Sequence, residues 1–168
     1  VQARPGVRTH LVELVDMTAT VYDLLGIDPG YSSFGRSLRA SLAGDDREIR
    51  AAVFAEVGAR KGETAFKNTD VKRMDPDSFY GVQSQYALTA HDAGSYAVCC
   101  RTRRHKYVRR AYLDHHELYD LADDPGETRN LSGHPAYAPV ERDLERMLLD
   151  YFMTTGDVLP HRQDSRAV

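Results

Sequence analysis

The sequence predicts an α+β chain: a small antiparallel sheet covered by a long C-terminal helix and preceded by a βα unit. Three observations predict it. Short apolar runs bounded by turn residues recur between Ala51 and Leu121, the pattern of strands joined by tight connections. Tyr137, Val140, Leu144, Leu148 and Tyr151 then repeat at helical spacing before Gly156, which puts one apolar stripe along about four helical turns. Ahead of both, RTHLVELV (Arg8 to Val15) and MTATVYDLLG read as a strand followed by a helix.

In chain order, Arg8 to Val15 is apolar enough for a short strand, and Asp16 is placed to cap the helix after it. Met17, Val21, Leu24 and Leu25 recur at i, i+4, i+7 and i+8, so one face of that helix is expected to be buried. Gly26 supplies a left-handed stop and Pro29 prevents continuation. Asp28 to Arg36 is a turn-rich connector, and Ser37 opens a short helix, SLRASLAG, closed by Gly44. A lone βα unit cannot bury its faces, so residues 1–44 are read as part of a larger α/β sheet. Ala51 to Val57 is a strand with one carboxylate, Glu56, near its end. Residues 58–95 show weak periodicity with one possible strand at Ser84 to Thr89, as a functional or a poorly ordered segment does. Tyr96 to Thr102 and Lys106 to Tyr112 form a hairpin, and Leu118 to Leu121 supplies a third strand.

Composition bounds the function classes. With 168 residues, 42% hydrophobic and 28% charged, the chain suffices for one domain with a core, or a domain plus an extension. A net charge of -3 argues against an obligatory, strongly basic nucleic-acid binder. No apolar run approaches the ~20 residues of a membrane span, and no leader is visible at the start. Cys99 and Cys100 are adjacent in a strand, where a mutual disulfide would be strained; together with the missing leader this favours the cytoplasm. There is no C-x-x-C pair and no zinc-spaced histidine cluster, so no metal site is expected.

The stretch ELYDLADDPGETRNL, Glu117 to Leu131, is the most determined one. Its carboxylates suit backbone N–H groups, Pro125 fixes φ, and Gly126 tolerates positive φ, so a sharp bend sends the sheet into the terminal helix. Leu131 would anchor the bend by burial and Asn130 by bonding nearby backbone. Upstream of it, six of the ten residues from Arg101 to Arg110 are Lys or Arg. Such a stripe attracts an anionic ligand, which arginine grips through paired hydrogen bonds; its bland alternative is a solvated outer face. Arg101, Arg103, His105 and Lys106, with Glu56 at its strand end, are the rim candidates toward such a ligand. A rival from another class uses Tyr96, Tyr107 and Tyr112 among these cations to stack bases of single-stranded RNA. A third is a stand-alone module that binds a partner or a second copy through the terminal helix.

LVELVDMTATVYDLLGID, GRSLRASLAG, VFAE, RTRRHKYVRR, ELYDLADDPGETRNLSGHPAY and TGDVLP together resemble, in order and spacing, the C-terminal portion of a sulfatase of the alkaline phosphatase superfamily. The family pattern VDLxPTLLDLAGI is matched at Val15 to Ile27 with Ala19 in place of proline, and RTxxYKY at Arg101 to Tyr107 with His105 in the aromatic place. ELYDLxxDPGExxNL is complete from Glu117 to Leu131. These blocks leave residues 58–95 unmatched. The resemblance implies that residues 1–44 end a large catalytic α/β domain and that residues 45–168 form a small C-terminal subdomain with a sheet of about four strands. It implies sulfuric ester hydrolysis by a formylglycine nucleophile and calcium in the complete enzyme, acting on a sulfated small molecule or glycan. Neither cysteine lies in the C/S-x-P-x-R pattern that yields formylglycine, so this chain alone is expected to lack the catalytic nucleophile. Phosphonate and phosphodiester hydrolases of the same superfamily are the alternative.

Overall fold

The computed structural model describes residues 2–58, 75–82, 95–111 and 113–157. Helix α1 spans Leu14–Leu25 and helix α2 Arg39–Leu42; strands β1 (Val53–Val57), β2 (Ala97–Arg101), β3 (His105–Arg110) and β4 (Glu117–Asp120) follow, and helix α3 (Ala138–Thr155) closes the described chain. The strands form one antiparallel sheet in the order β1-β2-β3-β4, so the α+β class is as expected. The possible strand at Ser84 to Thr89 and the side chain of Tyr112 lie outside the described residues.

The chain divides into two compact units. The first joins Val1–Phe54, Cys100–Arg104 and Asp143–Val168; the second joins Ala55–Cys99 and His105–Arg142.

In the first unit the strand expected over Arg8 to Val15 is not formed. Strand geometry needs a neighbour for its backbone groups, and Leu11 N–H instead donates to the Glu48 carboxylate at 3.1 Å. The helix starts two residues before the expected cap: Glu13 is the N-cap, and Asp16 accepts from Glu13 N–H at 2.8 Å. Gly26, with φ 67°, ends α1 as the sequence predicts. The face carrying Met17, Val21, Leu24 and Leu25 is exposed, against expectation, at 44 to 67%. Its opposite face is the buried one, and it is polar: Asp16 and Thr20.

A charge cluster explains this inversion. The Arg50 guanidinium gives Nε to Asp16 at 2.9 Å, Nη2 to Asp16 and to the Phe34 carbonyl (2.9 Å), and Nη1 to Glu13 at 3.0 Å. Asp16 also accepts from Arg36 N–H at 2.7 Å, while Glu13 accepts from Phe54 N–H at 2.7 Å. Thr20 Oγ1 accepts from Leu38 N–H at 2.9 Å, and Asp23 from Ser37 and Arg39 at 2.5 and 3.2 Å. The connector therefore runs against the polar side of α1. It comes so close at Gly35 that a Cβ there would sit 2.3 Å from the Val15 carbonyl. Phe54, whose N–H is bound by Glu13, stacks on Tyr151 of α3 with ring centroids 4.4 Å apart, and Leu144 and Leu148 are buried.

In the second unit β3 and β4 pair with Tyr107 opposite Leu118 and His105 opposite Asp120. Tyr107, Leu118 and Asp120 are fully buried.

Burial by itself would raise the Asp16 carboxyl, but the bonds from Arg50, Arg36 and Glu13 outweigh it and hold the pKa below the usual value. Because the folded pKa is the lower one, this stabilisation is complete at neutral pH and is lost as pH falls from about 4 through the folded value. Arg50→Met, which leaves the Asp16 charge buried, should cost ~3–5 kcal/mol in urea denaturation at pH 7. In Asp16→Asn the acid-dependent part of the stability loss should shrink, read as a flatter fall of Tm below pH 4.

Candidate functional site

The bend from Glu117 to Leu131 sits between β4 and α3, and its residue types account for each step. Backbone N–H groups of Asp123 and Asp124 donate to the Asp120 carbonyl at 3.2 and 2.8 Å, which turns the chain immediately after the strand. The Asp124 carboxylate accepts from Thr128 N–H, Thr128 Oγ1 and Arg129 N–H at 2.8 to 3.0 Å. Those bonds, the Arg129 N–H foremost, hold its pKa below the ordinary carboxylate value. Positive φ falls on Glu127 (54°) rather than on Gly126, where it was expected. A left-handed non-glycine residue costs of order 1 kcal/mol, and the ion pair of Glu127 with Lys106 opposes that cost.

Asn130 closes the bend as its amide permits. Its Oδ1 accepts from Leu118 N–H at 2.9 Å and Ser132 N–H at 3.0 Å, and its Nδ2 donates to the His116 carbonyl at 2.9 Å. Leu131 is buried, and its N–H donates to the Leu118 carbonyl at 2.8 Å. Glu141, in the first turn of α3, reaches back to Ser132 Oγ (2.6 Å) and Gly133 N–H (3.0 Å).

The rim candidates are placed as follows. In the second unit, Glu56 is exposed on β1 and accepts from Tyr96 OH at 2.5 Å. His105 Nε2 lies 3.7 Å from the buried Asp120 carboxylate, and Lys106 is paired to Glu127. As neighbours in β3, these two side chains point to opposite faces. In the first unit, Arg101 is exposed at the end of β2, and Arg103 is bound to Glu48 at 2.5 Å. The carboxyl of Glu48 is held below its usual value, first by the Leu11 N–H and then by Arg103. Within the second unit Arg110 bonds Glu117 at 2.7 Å, and Glu117 accepts from Tyr119 OH at 3.0 Å. Burial, followed by that bond, pushes the Tyr119 phenol up to about 12.

Several cations of the basic stripe are thus matched to carboxylates of the chain itself. The carboxylates were the part that sequence reasoning missed, since Glu48 and Glu127 lie 55 and 21 residues from their partners. Glu13 and Asp16 did leave a signal, because an acid three residues after an N-cap acceptor has capping-box spacing. Of the three rings read as a base-stacking surface, Tyr107 is fully buried and presents no face, and Tyr112 lies outside the described residues.

Among the described residues no three His, Cys, Asp or Glu side chains converge as a metal cage. Cys100 is buried within β2, and no chemical step is assigned to the described residues. Among those residues no helix is long and apolar enough to cross a membrane.

Proteins similar to most of this chain are sulfatases and other members of the alkaline phosphatase superfamily, and the likeness is to a C-terminal portion of them. No family-level profile matches the chain. It is similar to a multifunctional alkaline phosphatase superfamily protein of Trinickia caryophylli, 29% identical over 91% of this chain and 27% of that protein. It is also similar to human N-sulphoglucosamine sulphohydrolase, 26% identical over 87% of this chain and 33% of that enzyme. A solved phosphonate monoester hydrolase from Silicibacter pomeroyi superposes with a TM-score of 0.62 at 26% identity, covering 90% of this chain and 27% of that one. The chain therefore spans between a quarter and a third of the length of the proteins it matches.

Asn130→Ala should cost ~1–3 kcal/mol, because it leaves Leu118 N–H and the His116 carbonyl without partners. Leu131→Ala should cost ~2–5 kcal/mol. In both variants hydrogen exchange at Leu118 should accelerate, with little change in α2.

Proposed function

We propose that the chain is the C-terminal part of a sulfatase-type hydrolase. In this reading residues 1–44 finish the catalytic α/β domain, and residues 45–168 support it and border the substrate mouth. The observation that carries the reading is the Glu117 to Leu131 bend, set between β4 and α3 in a chain whose curated relatives include a sulphohydrolase. Sulfuric ester hydrolysis belongs to the complete polypeptide, where a formylglycine and calcium would be held by residues upstream of Val1. That relative acts, by its name, on N-sulphoglucosamine, which supports a sulfated small molecule or glycan as the substrate here. Arg101 and Arg103 are the side chains best suited to meet its sulfate oxygens. Arg101 is exposed, and the carboxylate on Arg103 is held at the surface, where an incoming anion can exchange with it.

Phosphonate ester hydrolysis is the second reading, favoured by the similarity to the Silicibacter pomeroyi enzyme. The two are separated by assaying the complete polypeptide on an aryl sulfate and an aryl phosphonate at equal concentration. Sulfate release at the higher kcat/KM is expected. A preference for the phosphonate moves the assignment to the second reading, and no turnover of either sinks both. Arg101→Ala and Arg103→Ala should each raise KM for a sulfated sugar about tenfold, ~1.4 kcal/mol of binding, with kcat little changed. Unchanged KM in both removes them from the rim.

A further inference from the structure

We infer that a cavity beside Arg103 is a subsite for one sulfated sugar ring, and that Glu48 is the internal anion such a ring displaces. The inference rests on the reading of the chain as part of a sulfatase-type hydrolase, and it adds where the ring sits and what competes with it. In the first unit, α2 and the loop after it enclose a cavity of about 250 Å³. Ala40 and Ile49 give it an apolar wall, and Ser41, Asp45, Arg47 and Glu48 bring polar groups. An apolar face with a few oriented polar groups is the make-up of small-ligand sites. The volume lies just below their usual range of roughly 300–1,000 Å³, which leaves room for a single ring.

The two carboxylates of the wall are held unequally. Asp45 accepts from Arg47 Nε at 2.9 and 3.1 Å, from Nη2 at 2.6 Å and from Arg47 N–H at 2.9 Å. The side-chain bonds first, and the backbone bond second, hold its carboxyl down at about 2. Glu48 accepts only from Arg103 Nε at 2.5 Å and Leu11 N–H at 3.1 Å. The Nη groups of Arg103 bond no described residue, so the outer fork of that guanidinium is open to an anion. A bare inorganic anion gains little here, since Asp45 and Glu48 share the wall and repel it. A divalent cation gains little either, because both carboxylates already face arginine. A ring that turns its C–H face to Ile49, hydroxyls to Ser41 and the carboxylates, and its sulfate to Arg103 uses every group. Once Arg103 is taken, Glu48 keeps its bond from Leu11 and accepts from a ring hydroxyl.

The test is a methyl NMR titration of the full-length polypeptide with glucosamine 6-sulfate, read at the Ile49 methyl group and assigned with Ile49→Val. That methyl lines the cavity, so its shift reports this site and no other. It should move saturably with the sugar sulfate and stay in place with inorganic sulfate at the same concentration. Glu48→Gln frees Arg103 and should lower the half-saturation concentration about threefold, a gain that a merely damaged loop does not give. Arg103→Ala should raise it about tenfold. A methyl that does not move overturns the subsite, and so does one that inorganic sulfate moves equally. Unchanged or weaker binding in Glu48→Gln overturns the displacement of Glu48. The readout needs no turnover: a saturable shift in a polypeptide that hydrolyses no sulfate ester sinks the functional reading alone, and a still methyl in an active sulfatase sinks the subsite alone.

Discussion

Burying an arginine is tolerable only when its donors are used, and at Arg50 four of the five N–H groups meet oxygen: two on Asp16, one on Glu13, one on the Phe34 carbonyl. Asp16, with no exposure at all, has both oxygens doubly occupied, by Arg50 and by the N–H groups of Glu13 and Arg36. Removing either partner strands a charge in low dielectric. The cluster also reaches three parts of the chain: the start of α1, the connector before α2 and, through Glu13 and Phe54, the strand β1. What α1 shows to its surroundings is set here, because the polar face that the cluster needs is necessarily the inner one.

The bend depends on a different kind of constraint. Its carboxylates and its amide each satisfy two or three backbone groups that a chain reversal would otherwise leave open, so the change of direction is fixed by local bonds. Glu141 then ties the first turn of α3 to Ser132 and Gly133, near the positive end of the helix dipole. Direction and capping are solved by the same short stretch, and that gives the stretch its fixed order of residue types.

This is why the second half of the fold was legible in the sequence and the first was less so. Turn chemistry and period are local, and they placed β2, β3, β4, the bend and α3 to within a residue or two. The helical period also found α1, but a period reports that a stripe exists and says nothing of which neighbour covers it. The burial expected for Met17, Val21, Leu24 and Leu25 belonged to a larger α/β sheet, and in this structure the four remain exposed. Arg8 to Val15 failed for a related reason: an apolar run becomes a strand only beside another strand. At the candidate rim, the cations were plain in RTRRHKYVRR, whereas their matching carboxylates, Glu48 and Glu127, are distant in sequence and carry no local pattern.

That matching changes what a basic stripe can be taken to mean. Six Lys and Arg residues in ten suggest a strong positive field, yet Arg103, Lys106 and Arg110 each face a carboxylate within ion-pair distance. Beyond a Debye length of about 8 Å such pairs are close to neutral, so long-range attraction of a polyanion is weak, in keeping with a net charge of -3. At contact the situation differs. A sulfate that reaches Arg103 must displace Glu48, and the freed carboxylate keeps its second bond, from Leu11 N–H. Exchange of one anion for another on a surface arginine is nearly balanced, so small differences in fit decide it. In its proposed role Arg103 would select among anionic ligands by fit at close range and would contribute little to how fast they arrive.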